Sequence, residues 1–305
     1  MTETSLALTS EAAERSGEPR RRLLVYQMAK VASLSWVALG RNELALDDIF
    51  HIHFLSDESV AFMRELIAAP DAVQTIARRM MVRNGLRHAL EGREQLPSIC
   101  SGNDPWLIVT GLRDPVARSI SLLFFMGDFF GCTDRPLSWR DGASQSSLER
   151  AFREMWDRVL GDAPPADTFG RLLHFYVGIY EQWFEREFTA VVGIDATVAE
   201  FPPGPAPRVI RSGSNRVLVY RVEDMPDGAA GNPILLNSIK SFCDSNIAAL
   251  PVANATGERR TKPLYRQFVE NLRLPTSLID RIYSGKTVQR FYTANEIERF
   301  KLRWS

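Results

Sequence analysis

The segment Leu23-Leu-Val-Tyr-Gln27-Met-Ala-Lys30-Val-Ala-Ser33-Leu-Ser35 passes from an apolar, strand-forming run through small and hydroxylated residues into a helical pattern. A short run of this kind suits a buried strand, and the residues beyond it predict a helix that starts near Ser33. That helix turns Leu34, Val37, Ala38 and Leu39 inward and ends around Arg41 to Glu43. A strand, a loop and a helix in this order form an anion-binding arrangement. Backbone N–H groups of the turn and helix start converge on a phosphate, the helix dipole favours its charge, and Lys30 adds a mobile cation. The triphosphate pattern GxxxxGK[ST] is absent. Taken alone, the segment is equally consistent with a surface lysine in an ordinary strand-to-helix loop.

Downstream, the alternation of strand and helix patterns continues. Residues 48–55 predict a second strand with Phe50, Ile52 and Phe54 on one face and Ile49, His51 and His53 on the other. Helical stretches follow over 58–69 and 71–92. Trp106 to Leu112 is a third strand running into Arg113-Asp-Pro115, where Pro115 suits the first turn of a helix because its missing N–H has no intrahelical partner there. Strands alternating with helices imply an α/β fold with a central parallel sheet flanked by helices. Residues 146–188 read as helical, Val191 to Ile194 and Arg208 to Arg211 as strands, and Arg216 to Tyr220 as another strand after the turn at 212–215. Thr293-Ala-Asn-Glu296 has capping-box spacing.

Arg113 stands where strand carboxyl ends meet the ligand crevice of open α/β sheets, with Ser121 about two helical turns further on. An arginine fork and a serine hydroxyl can grasp one phosphate between them; pairing of Arg113 with a carboxylate near the helix start is the plainer alternative. Arg118 reads as an exposed helix charge. Glu181, Glu185 and Glu187 read as solvated or ion-paired. Arg259, Arg260 and Lys262 form a basic loop that either meets anions or is simply solvated. His51 and His53 share a strand face, and an imidazole with an unperturbed pKa near about 6.5 can accept a hydroxyl proton at neutral pH. The same pair could ligate a metal, but the other histidines, His88 and His174, lie far along the chain, and no metal is expected.

Lys plus Arg and Asp plus Glu both total 37 among 305 residues, so the summed charge gives no reason to expect nucleic acid or a membrane surface as partner. The 3 cysteines, Cys100, Cys132 and Cys243, include no CxxC pair, which points to a reducing compartment. With no leader-like start and no long apolar run, the chain is expected to be cytoplasmic, with residues 1–20 a disordered tail and 21–305 a single domain. Oligomeric state is not legible.

The two motifs together resemble the sulfotransferases that use 3′-phosphoadenosine 5′-phosphosulfate (PAPS). In that superfamily a lysine-bearing strand-loop-helix holds the 5′-phosphosulfate, and an Arg-x7-Ser element, often within RDPxxRxxS, holds the 3′-phosphate. The resemblance assigns Lys30, Val31, Ala32, Ser33, Leu34 and Ser35 to the first and Arg113 with Ser121 to the second. Ala29 and Ala32 stand where the superfamily commonly has Pro, Thr or Gly. Over nearly the whole ordered chain, the strings VYQMAKVAS, GLRDPVARSISLLFF, WFEREFTAVVGID and YSGKTVQRFYTANEIERFKLRW resemble the capsular polysaccharide synthesis family of bacterial sulfotransferase-like proteins. His51-Ile-His53 is similar to the HxH of the uronosyl 2-O-sulfotransferases.

These resemblances imply a P-loop-like sulfotransferase fold with PAPS as cofactor and no metal. They also imply His53 as base assisted by His51, Lys30 as leaving-group stabiliser, and Arg259, Arg260 and Lys262 as a loop closing over the nucleotide. The implied acceptor is a hydroxyl, on a glycan or another cell-surface metabolite. The competing readings are a non-catalytic nucleotide-binding protein of polysaccharide assembly and a nucleotide-dependent phosphotransferase.

Overall fold

The computed structural model describes residues 21–44, 46, 48–68, 76–125, 144–161, 168–197, 203–225, 232–251 and 262–305. Among them, five strands form one sheet in the order β2-β1-β3-β5-β4. These are β1 Arg22–Tyr26, β2 Asp48–Ile52, β3 Trp106–Leu112, β4 Arg208–Ser212 and β5 Asn215–Arg221. β1 pairs in parallel with β2 on one side and β3 on the other, and β3 pairs in parallel with β5.

The sheet is α/β and mostly parallel as expected, with one antiparallel strand at its edge. β4 runs antiparallel to β5, because the hairpin turn between Ser212 and Asn215 is too short for a crossover; Gly213, at φ 60°, supplies the left-handed residue that closes it.

Helices cover both faces of the sheet, as parallel strands require. Helix α1 (Ser33–Asn42) follows β1, α2 (Asp57–Ala68), α3 (Ile76–Arg93) and α4 (Leu96–Ser101) connect β2 to β3, and α5 (Pro115–Phe125) follows β3. The middle of the chain gives α6 (Gln145–Val159), α7 (Thr168–Tyr176), a 3-10 turn (Gly178–Glu181) and a π-helix (Trp183–Thr189). After the hairpin come α8 (Pro233–Cys243), α9 (Lys262–Asn271), α10 (Thr276–Tyr283), α11 (Lys286–Phe291) and α12 (Ala294–Trp304). No helix among the described residues is long and apolar enough to cross a membrane.

Strict alternation along the strands divides the core in two. Leu23, Val25, Leu107, Val109, Leu218 and Tyr220 pack on Trp36, Val37 and Leu39 of α1 and on Leu235, Ile239 and Phe242 of α8. Leu24, Tyr26, Ile52, Trp106, Ile108 and Val219 face the larger cluster built from the middle and C-terminal helices. Every residue of β3 is buried, as befits the central strand.

Two expectations are corrected. Leu34 points outward at 38% exposure, since the 3.6-residue period that buries Ser33, Trp36, Val37 and Gly40 turns position 34 to the opposite side. Val191 to Ile194 is not a strand. The π-helix continues through a short α turn, Ala190–Val192, and ends at left-handed Gly193, φ 73°; four apolar residues carry too little periodicity to tell these states apart.

Candidate active site

Because β1 lies between β2 and β3, the chain leaves the carboxyl end of β1 toward one side and later reaches β3 on the other. Crevices at such reversals are where open α/β sheets take ligands. Three of the motifs singled out in the sequence sit at this edge: the Lys30 loop after β1, His53 after β2 and Arg113 after β3.

The Lys30 loop is pinned from beneath. Gln27 N–H donates to the Ile52 carbonyl at 3.3 Å, Gln27 Nε2 donates to the Val31 carbonyl at 3.3 Å, and the buried Tyr220 hydroxyl reaches both Gln27 Oε1 at 3.0 Å and the Val31 carbonyl. These pins hold two non-glycine residues in left-handed conformations, Lys30 at φ 72° and Ala32 at φ 63°. Each such residue costs roughly 1–2 kcal/mol, and strain of this kind persists only where surrounding contacts enforce it. Ala32 is the N-cap of α1 and offers no side-chain cap, so backbone N–H groups define that helix start. Lys30 is half-buried, with Nζ 4.5 Å from the Phe125 ring centre. Val31, Ser33 and Ser35 are all buried.

Arg118 corrects the expectation of an exposed helix charge. It is 1% exposed, because its guanidinium crosses from α5 to donate to the Ala29 carbonyl at 3.1 Å and the Tyr176 carbonyl at 2.7 Å. Burial lowers its pKa to about 10, still above neutrality. Arg118 therefore bridges the two motifs: it leaves the Arg113 helix and holds the Lys30 loop.

His53 Nδ1 lies 2.7 Å from the Gln27 carbonyl. A carbonyl can only accept, so the proton resides on Nδ1 and the neutral ring keeps its lone pair on Nε2. Burial is the main cause that lowers its pKa below the ordinary value, opposed by the Gln27 hydrogen bond and reinforced by the charges of Arg118, His88 and Lys30. His53 thus shares the electrostatic neighbourhood of Lys30 and is neutral at pH 7. The group that orients it is the Gln27 carbonyl. His51 instead packs edge-on at 4.7 Å between ring centres, with its buried Nε2 unpartnered among the described residues.

Desolvation, with the nearby charges of His53, His88 and Arg41, lowers His51 to about 3. Between that value and the unfolded-state value near about 6.5 the unfolded chain binds the proton and the folded chain does not, so stability falls as pH drops through this window. We expect the urea midpoint to decline from pH 7 to pH 4 in the wild type, and the decline to be shallower in His51→Phe. An identical slope in the two proteins would remove His51 as the cause.

A residue that sequence reasoning placed on a solvated face or in an ion pair holds these strand exits. Glu187, in the π-helix, is 1% exposed. Its carboxylate accepts from the Tyr26 hydroxyl at 2.7 Å, Leu55 N–H at 3.0 Å, Ser56 N–H at 3.1 Å, the Ser56 hydroxyl at 2.5 Å and the Ser59 hydroxyl. It clamps the end of β1, the segment after His53 and the start of α2. The only local signal was its position between Phe184 and Phe188, and the wider π-helical turn broke the spacing that would have revealed it. Glu185 does pair at the surface, with Lys286 at 2.5 Å, and Glu181 is half-buried against the backbone N–H of Thr287 at 3.0 Å.

Arg113 is half-buried and lines a cavity of about 280 Å³. Its neighbour Asp114 is 1% exposed and accepts from the Tyr283 hydroxyl at 2.5 Å, Trp304 Nε1 at 2.9 Å and Val116 N–H at 3.1 Å. The C-terminal helices are thus fastened beside Arg113. The alternative pairing of Arg113 with a nearby carboxylate is not formed among the described residues. Ser121 lies half-buried on α5, one turn beyond the lining residue Ala117, and is not itself part of the lining. Arg259 and Arg260 lie outside the described residues, as does the side chain of Lys262, which opens α9. No group of three His, Cys, Asp or Glu among the described residues could hold a metal ion.

Comparison with protein-family models, with curated proteins and with solved structures finds no match to this chain.

Proposed function

We propose that this chain is a sulfotransferase of P-loop-like fold that moves a sulfuryl group from PAPS to an acceptor hydroxyl. The observation that carries the reading is that the strained Lys30 loop, His53 and Arg113 follow the carboxyl ends of three neighbouring parallel strands, β1, β2 and β3, at the reversal of strand order. The residues fit the nucleotide. The loop after β1 offers backbone N–H groups and Lys30 for one anionic end, and Arg113, just past the end of the neighbouring strand β3, with Ser121 on the helix that follows, is assigned to the other.

PAPS supplies the activated sulfuryl group when bound. His53 accepts the acceptor's hydroxyl proton at Nε2, because Nδ1 is committed to the Gln27 carbonyl. Lys30 and the N–H groups at the start of α1 stabilise negative charge that develops on the leaving oxygen. Arg118 keeps the loop in place. A larger cavity of about 530 Å³ opens beside the segment that follows His53, between Ser56, Ser59, Phe62, Phe175 and Arg171, and has room for an acceptor of sugar size. Glycan or other metabolite hydroxyls are the acceptors to screen.

Calorimetric titration with the product nucleotide, adenosine 3′,5′-bisphosphate, beside adenosine 5′-monophosphate tests this reading. The bisphosphate is expected to bind about 10–100-fold more tightly, the worth of a charged bidentate contact, and Arg113→Ala to abolish the difference. Equal affinity for the two nucleotides, or preference for ATP, sinks the sulfotransferase reading; bisphosphate binding without turnover of PAPS favours a non-catalytic nucleotide-binding protein.

A further inference from the structure

The geometry points to a second arm of the nucleotide site that no motif assigned: Arg303, in the last turn of the C-terminal helix, forms with Arg113 a clamp for a phosphate monoester. Resting on the nucleotide reading above, this deepens it by bringing helix α12 into the site. The two arginines are chain neighbours of a buried hydrogen-bonded pair. Trp304 Nε1 donates to Asp114 Oδ2 at 2.9 Å, so residues 303 and 113 are held beside one another although they lie on helices and strands far apart in sequence. Both line the same cavity of about 280 Å³, with Tyr265 and Phe300 on its walls.

The cavity is lined by two arginines and two carboxylates, Asp114 and Glu223, and the carboxylates are engaged elsewhere. Asp114 accepts from Tyr283, Trp304 and Val116, while Glu223 accepts from the Asp114 N–H at 2.8 Å and the Tyr292 hydroxyl at 2.9 Å. Neither Arg113 nor Arg303 has an ion-pair partner among the described residues, and the Arg303 guanidinium rests over the Trp304 ring, 4.6 Å from its centre. Two guanidinium groups that line one cavity with Tyr265 and Phe300 and form no ion pair among the described residues suit a doubly charged phosphate, which each can take bidentately. A sulfate ester or carboxylate carries one charge and uses the pair less fully. Trp304 fastens the helix to Asp114, and Arg303 lines the cavity.

The experiment compares the intact wild-type chain with Arg303→Gln and Arg303→Lys, using adenosine 3′,5′-bisphosphate, adenosine 5′-monophosphate and inorganic phosphate as titrants. Arg303 is exposed and does not join the Trp304–Asp114 bond, so the unfolding midpoint is expected to stay unchanged and serves as the folding control. Arg303→Gln is expected to weaken the bisphosphate and inorganic phosphate by about 10–100-fold, to leave the 5′-monophosphate unchanged, and to be partly rescued by lysine, which restores the charge but not the fork. Unaltered affinity of Arg303→Gln for the bisphosphate and phosphate overturns the clamp, as does a wild type that takes up neither. If inorganic phosphate binds through both arginines while the two nucleotides bind equally, the clamp stands and the PAPS reading falls. If the bisphosphate preference depends on Arg113 alone, the reading stands and the clamp falls.

Discussion

Glu187→Ala is expected to lower the stability of the protein by about 3–5 kcal/mol, the cost of deleting one partner of a buried charged network. The magnitude follows from what the carboxylate holds. The Tyr26 hydroxyl, two backbone N–H groups at Leu55 and Ser56, and the hydroxyls of Ser56 and Ser59 all donate to it; Tyr26 and Leu55 are buried, whereas Ser56 and Ser59 border the 530 Å³ cavity. Each buried donor left without an acceptor costs about 1–3 kcal/mol, partly relieved where a serine rotates to another partner. For a chain of this size the thermal midpoint is expected to drop on the order of 10 °C.

The damage also reaches the site. Tyr26 immediately precedes Gln27, and Leu55 follows His53 by two residues, so the Gln27–His53 hydrogen bond depends on both exits being held. Glu187→Gln is the informative companion. It preserves size but brings an amide N–H₂ among donors, so it is expected to recover only part of the loss. Thermal and denaturant unfolding measure both variants, and a loss below about 1 kcal/mol in Glu187→Ala means that the network is solvated rather than structural.

His53→Asn is expected to reduce PAPS-dependent turnover by about 10²–10⁴-fold, the usual contribution of a positioned general base, while affinity for adenosine 3′,5′-bisphosphate stays as in the wild type. Asparagine is chosen because its amide N–H₂ occupies roughly the place of imidazole Nδ1–H and can still donate to the Gln27 carbonyl; only the Nε2 lone pair is lost. Release of the bisphosphate from PAPS, followed over a panel of hydroxyl acceptors, reads the rate, and calorimetry reads the binding. In the wild type the rate is expected to be flat near pH 7 and to fall only at acidic pH, since burial and the charges of Arg118, His88 and Lys30 lower the His53 pKa below its ordinary value. Turnover by His53→Asn at the wild-type rate assigns the proton to another group. A rate and an affinity that fall together identify His53 as a positioning residue for the loop.

The amino-acid sequence by itself determined those features that depend on neighbours along the chain. Apolar runs bounded by turn residues set β1 and β3, the latter over the same seven residues, Trp106–Leu112, that the pattern marks. Small residues between a strand and a helix predicted the Lys30 loop and the start of α1 at Ser33, and the Thr293–Glu296 spacing predicted the capping box that opens α12. Alternation predicted that His51 and His53 share a face. All of these follow from periods of two or 3.6 residues and from local hydrogen bonding.

Only the tertiary structure decided which polar side chains are buried and what they hold. Arg118 and Glu187 carry charges that a local reading sends to solvent; they are interior because Ala29, 89 positions from Arg118, and Tyr26, 161 positions from Glu187, supply partners that no window of sequence contains. The choice of Gln27 rather than His51 as the group that orients His53 depends on the register of β1 against β2, which sets Tyr26 opposite Ile52. Trp304 donates to Asp114 across 190 positions, and their neighbours Arg303 and Arg113 line one cavity. A buried charge is tolerated only where distant elements bring complementary groups within hydrogen-bonding distance. That condition is met by packing, and so the residues that shape this site became visible only once the sheet and its helices were assembled.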